Sequence, residues 1–228
     1  LGQVTIGGLV FKGFTLGTVD VTAPRSSNVT LTNCVFEKTA TVKLANIDAV
    51  VSGCSFTNNT MTSLQLDANV TWTTSLVERC EFRGNSALQV EATGNGKRWL
   101  WMRRCRFIGN SAKALNVRAC DVIECEFARN TASQLVQYYS SDSEGNKRCL
   151  FDGCSFHDNV GTASLGGTSA GYIFGGQTMS IPFTVLNTSI YNNKLTVSGG
   201  SGGIGFVLGM FTMAGDTVSI DSFRYFAR

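Results

Sequence analysis

The sequence predicts an all-β solenoid, a right-handed parallel β-helix of about nine coils forming a single domain over residues 1–228. Three observations carry this. A short segment recurs along the whole chain with its apolar residues at fixed offsets. Turn-forming residues recur in register with those apolar positions. The composition, with 25 Gly, 2 Pro and 43% apolar residues, suits many short strands and tight turns, and nothing reads as a long amphipathic helix.

With Cys34 as position zero, the segments VTLTNCVF, AVVSGCSF, SLVERCEF, LWMRRCRF, CDVIECEF and CLFDGCSF follow in order, centred on Cys34, Cys54, Cys80, Cys105, Cys125 and Cys154. VTIGGLVF precedes them on Leu9, and FTVLNTSI and VSIDSFRY follow on Thr188 and Phe223. Successive centres lie 25, 20, 26, 25, 20, 29, 34 and 35 residues apart, so loops vary while the strand core does not. Apolar residues occupy positions −5, −3, 0 and +2. Steps of two keep side chains on one face of a strand, and the step of three from −3 to 0 marks a corner. Gly8, Asn33, Gly53, Gly153 and Asn187 stand just before zero, and Gly13, Asn58, Gly84, Gly109, Asp158 and Asn192 at +4. These residue types tolerate the left-handed backbone that such corners use.

After the second corner come Asn59, Asn85, Asn110, Asn130, Asn159 and Asn193. Strands stacked about 4.8 Å apart bring equivalent amides within bonding reach. An inward ladder is expected, because a small residue follows two places on in Ala87, Ala112, Ala132 and Gly161.

The C-x-F-x-x-N-x-A pattern resembles the right-handed β-helix superfamily that includes pectin lyase-like proteins. More narrowly it is similar to the repeats of chlamydial polymorphic outer membrane proteins. Phe56–Asn59, Phe82–Asn85, Phe107–Asn110, Phe127–Asn130 and Phe156–Asn159 match the F-x-x-N motif of those repeats, and Gly202-Gly203-Ile204 approximates their G-G-A-[ILV] motif. The resemblance implies a β-helical surface adhesin.

Six cysteines fall in the zero column and Cys120 and Cys149 at −5, all expected to point inward. Stacked thiols have parallel Cβ vectors at the strand spacing, wider than the roughly 3.8 Å a disulfide prefers. Buried free thiols acting as small hydrophobes are expected, with a disulfide as the alternative. No metal or cofactor is expected: the single His, His157, points outward, away from the thiols.

Outward charges alternate in sign up the stack. Glu81, Arg106 and Glu126 share +1, Arg104 and Glu124 share −1, and Glu78 and Arg103 share −2. A register-fixing charge ladder is expected, with an anion or acidic-glycan patch around Arg79, Arg103, Arg104 and Arg106 as the functional alternative. Trp99 and Trp101 are outward, with Leu76 and Leu150 expected beside Trp101 on adjacent coils and Trp72 close by. That cluster is the candidate binding surface. Sequons at Asn28, Asn58, Asn69 and Asn187 fall on outward, corner or loop positions and are glycosylation candidates.

A net charge of +3 is too small to make nucleic acid the main partner. No apolar run approaches the roughly 18 residues of a membrane span. Polysaccharide-cleaving β-helices need paired acids, or Asp-bound calcium with a basic residue, and no such set is evident. The expectation is a non-catalytic extracellular or cell-surface structural or adhesive protein, a rigid stalk or filament component. It would associate end to end or belong to a longer parent chain, and take a glycan or cell-surface ligand. The alternative is a polysaccharide-binding or polysaccharide-cleaving β-helix.

Overall fold

The computed structural model of the chain describes residues 2–14, 18–22, 27–67, 73–92, 98–138, 148–164, 173–176, 183–198, 208–209, 218–221 and 224–226. Its regular elements are strands, and every recorded pairing is parallel. One nine-stranded sheet runs in chain order from Gln3–Gly7 to Val218–Asp221, and a second runs from Val10–Lys12 to Arg224–Phe226. Each strand pairs with its equivalent one coil later. Leu76 faces Trp101, and Phe82, Phe107, Phe127 and Phe156 align in succession. Strands parallel and in repeat register, one coil apart, define a parallel β-helix.

The corners form where the turn residues predict. The residue before position zero has φ between +46° and +69° in all eight described cases, Gly8 to Asn187, and the +4 residue lies between +50° and +75° from Gly13 to Asn192. The expectation of Gly or Asn is too narrow, however. Arg79, Arg104 and Glu124 take the first corner and Lys38 and Arg129 the second, each at a cost of about 1–2 kcal/mol for an L side chain. Gly84 is held by space as well as by conformation, since a β-carbon there would stand 2.7 Å from Asn58 Oδ1 on the coil before.

A third sheet, of eight strands from Val19–Thr22 to Leu208–Gly209, is not marked by the repeat. It closes the coil by turning Val42, Leu44, Leu64, Leu66, Val90 and Leu115 inward. A short sheet of Thr131–Ala132, Val160–Ser164 and Lys194–Ser198 extends the corner after the Asn column.

Inside, equivalent residues stack. Phe11, Phe36, Phe56, Phe82, Phe107, Phe127 and Phe156 form a continuous column with ring centroids 4.4–5.0 Å apart and planes within 12°. The Asn column is internal, as expected, but its chief partner is backbone. Asn130 Oδ1 accepts from the Asn110 backbone N–H at 3.0 Å, and Asn130 Nδ2 donates to the Phe107 carbonyl at 2.9 Å. The same two bonds recur from Asn59 up to Asn193. Each amide thus satisfies one donor and one acceptor that the corner of the preceding coil would otherwise bury unpaired.

All eight cysteines are buried free thiols. In the zero column Cys34, Cys54, Cys80, Cys105 and Cys154 each donate to a carbonyl of the coil below, for example Cys80 to Val51 and Cys105 to Val77, both at 3.4 Å, whereas Cys125 donates to Ile123 of its own coil. Burial pushes the Cys154 thiol up to about 12, and contact with the next thiol up the column followed by burial pushes Cys54 and Cys80 higher still. The thiolate is the nucleophile. Iodoacetamide at pH 8.5 is therefore expected to leave the native chain unlabelled and to add eight groups after denaturation, read by intact mass. Several labels on the native chain would mean that the column opens.

Candidate functional site

The outer face of the first sheet carries the candidate surface. Position −4 is apolar on three neighbouring strands in register: Val50 and Trp101 are each 36% exposed, with Leu76 half-buried between them. The next residue in that row is Asp121, not Leu150. Leu150 pairs with Asp121 from the far side, so it lies two coils from Trp101 and does not join the cluster. Asp121 is buried and held by Arg148 through two bonds of 2.9 and 3.0 Å. Its charge therefore bounds the apolar row. Trp99 is half-buried, paired in register with Thr74, and its indole N–H has no hydrogen-bond partner among the described residues. Trp72 lies outside the described residues.

Beside the apolar row, Glu78, Arg79, Arg103, Arg104, Ile123 and Glu124 line a shallow cleft of about 230 Å³ at the first corner. The expected Glu78–Arg103 pair does not form. Glu78 Oε1 instead accepts from its chain neighbour Arg79 at 2.7 Å and from Ser52 Oγ at 3.0 Å. Arg104 binds Glu124 at 2.7 Å. Arg103 turns back along its own strand and lays its guanidinium over the Trp101 ring, 5.0 Å from the centroid, a cation–π contact. Three guanidinium groups thus meet two carboxylates in the cleft, leaving one net positive charge.

Arg106 does not belong to that cleft. It bridges Glu81 at 3.3 Å and Glu126 at 2.8 Å, making the predicted +1 ladder. The ladder continues through His157, whose Nε2 lies 3.2 Å from Glu126 and Nδ1 2.8 Å from Asp158, with its ring stacked on Tyr191 at 5.0 Å. The bond from Arg83 holds the Glu81 carboxyl below the usual range. Glu126 is also low: burial pushes it up, but Arg106 and His157 outweigh burial. The His157 bond lowers Asp158. Carboxylates lowered in the folded state stabilise it above their unfolded pKa near 4, and that contribution fades as pH falls through the folded values. Partial exposure limits the set to about 1 kcal/mol. Urea unfolding is expected to show a loss of that size as pH falls below about 4.5, reduced in Arg106→Ala by the Glu126 share and left in place where Arg83 and His157 hold Glu81 and Asp158.

Among the sequons, Asn28, Asn58 and Asn187 are exposed, whereas Asn69 lies outside the described residues. Asn187 Nδ2 is engaged with Asp152 at 2.9 Å. Among the described residues no group of three or more His, Cys, Asp or Glu is arranged to hold a metal ion.

Signals in the sequence led to Trp101 and the arginines. The i to i+1 pairing of Glu78 with Arg79 and the turn of Arg103 onto Trp101 depend on side-chain rotamers, which column alignment does not reveal. Comparison of the chain with protein families, curated proteins and solved structures finds no match. The class is defined by the coil itself, an all-β parallel β-helix with a mixed apolar and basic outer face.

Proposed function

We propose that the chain is a non-catalytic extracellular structural or adhesive surface protein, a rigid β-helical stalk or filament component that engages its ligand through an outer face. One observation carries this reading: the Phe, Asn and Cys columns run without interruption through the same coils. Such continuity gives a stiff rod in which every coil supports the next. Two acids on this side of the coil bond to a neighbouring coil, Glu126 to His157 and Asp152 to Asn187, and Asp158 bonds to His157 within its own coil. The likeness to adhesin-type F-x-x-N repeats supports the same reading.

The runner-up, a polysaccharide-binding or polysaccharide-cleaving β-helix, draws its support from the exposed Trp101 and its arginine.

The test combines electron microscopy of the chain at high concentration with incubation on a panel of neutral and acidic polysaccharides. Rods that lengthen with concentration and leave every polysaccharide at its starting length are the expected result. Shortened polysaccharide, lost on changing one carboxylate, would transfer the chain to the cleaving class.

A further inference from the structure

The apolar row and the cleft beside it make one composite surface whose parts are not explained by the register ladder. Gly or Asn serves the first corner at Gly8, Asn33, Gly53, Gly153 and Asn187. The three exceptions, Arg79, Arg104 and Glu124, fall on consecutive coils and all line the cleft. Left-handed backbone at these three positions places long polar side chains around one cleft. Arg79 and Arg104 each have a carboxylate partner, whereas Arg103 has no ion pair among the described residues and rests on Trp101. The contact holds the guanidinium over the ring and leaves it without a carboxylate among the described residues, and a guanidinium receives a carboxylate through two parallel bonds.

We propose that this surface docks an extended peptide segment of a partner protein that carries one carboxylate between apolar side chains. The apolar residues lie along Val50, Leu76 and Trp101, and the carboxylate meets Arg103. Charge complementarity selects this occupant. The cleft has one net positive charge, and Glu78 and Glu124 stand on either side of it in the repeat. Glu78 and Glu124 already occupy Arg79 and Arg104, so a uniformly anionic sugar chain would bring acids for which the cleft holds no further unpaired cation. A segment with a single acid satisfies Arg103 and brings no second acid. Asp121 closes the row at its far end, so the apolar footprint spans three strands. This deepens the reading of a chain that acts through an outer face, and it rests on that reading.

The test pans a phage-displayed random octapeptide library on the folded full-length chain, then measures the best peptide on variants. Selected sequences are expected to carry one Asp or Glu flanked by apolar residues. Affinity should fall about tenfold or more in Arg103→Ala, fall comparably in Trp101→Ala, recover partly in Arg103→Lys, and stay unchanged in Arg83→Ala, whose guanidinium belongs to the Glu81 pair. Absence of acidic enrichment, or equal binding by wild type and Arg103→Ala, would overturn the proposal. Displacement of the peptide by an oligoglucuronate that binds more tightly through Arg103 would also overturn it, assigning the surface to an acidic glycan. Cleavage of that oligoglucuronate is a separate readout, and it alone would remove the non-catalytic reading.

Discussion

Replacing Asn130 with alanine is expected to destabilise the protein by about 3–5 kcal/mol, because two buried backbone groups lose their partners at once. The Asn110 N–H and the Phe107 carbonyl are both bonded to the Asn130 side chain, and Asn130 is fully buried. Its Oδ1 also accepts from Asn110 Nδ2 at 2.9 Å, and its Nδ2 donates to Asn159 Oδ1 at 3.0 Å. Both neighbours in the ladder are therefore loosened. Asn130→Asp separates the two roles. An aspartate still accepts from Asn110 but, when ionised, cannot donate to Phe107, so it should be strongly destabilising at neutral pH and partly rescued in acid. Asn28→Ala, on the exposed face, should change stability by less than about 0.5 kcal/mol. Urea unfolding measures all three. A cost for Asn130→Ala no larger than for Asn28→Ala would mean that water replaces the amide.

Phe107→Ala is the second large effect, again about 3–5 kcal/mol, from lost transfer energy and the cavity left behind. Phe107 is completely buried, with Phe82 and Phe127 stacked 4.8 Å away on either side. Relaxation into the hole is limited, since each neighbouring ring sits on a strand pinned by parallel pairing on both edges. Phe107→Leu retains most of the volume and should cost about 1.5 kcal/mol or less. The same truncation at Phe11, which is half-buried and stacked on one side alone by Phe36, should cost clearly less. Equal losses at Phe11 and Phe107 would contradict a continuous column.

Both predictions rest on residues visible in the repeat, and the reason is physical. Phe at +2 and Asn at +5 lie within a few residues of a fixed corner, so their spacing survives changes in loop length. The third sheet lacks that protection. Its strands begin eight to eleven residues after position zero from Leu9 to Cys125, but twenty after Cys154, and a variable offset hides an inward pair such as Val42 and Leu44. The corner rule of Gly and Asn missed Arg79, Arg104 and Glu124 because conformational preference is a modest energy that a local requirement for side chains can override. The error over Leu150 came from column position without coil order, for Asp121 occupies the intervening coil. Trp101 and Arg103 were both recognisable as outward residues. Their stacking was not, since alternation along a strand says which face a side chain takes and nothing about which neighbour it chooses.

Site-resolved amide hydrogen exchange on the intact chain tests most directly whether an internal asparagine ladder binds coil to coil. The backbone amides of Asn59, Asn85, Asn110, Asn130 and Asn159 each donate to a side-chain oxygen of the next coil at 2.8–3.0 Å. They are predicted to exchange as slowly as the strand amides of Phe82, Phe107 and Phe127, with Asn130→Ala releasing the Asn110 amide first. Rapid exchange at the asparagine amides while the phenylalanine amides stay protected would contradict the ladder, and with it the stiff, continuous coil on which the proposed function depends.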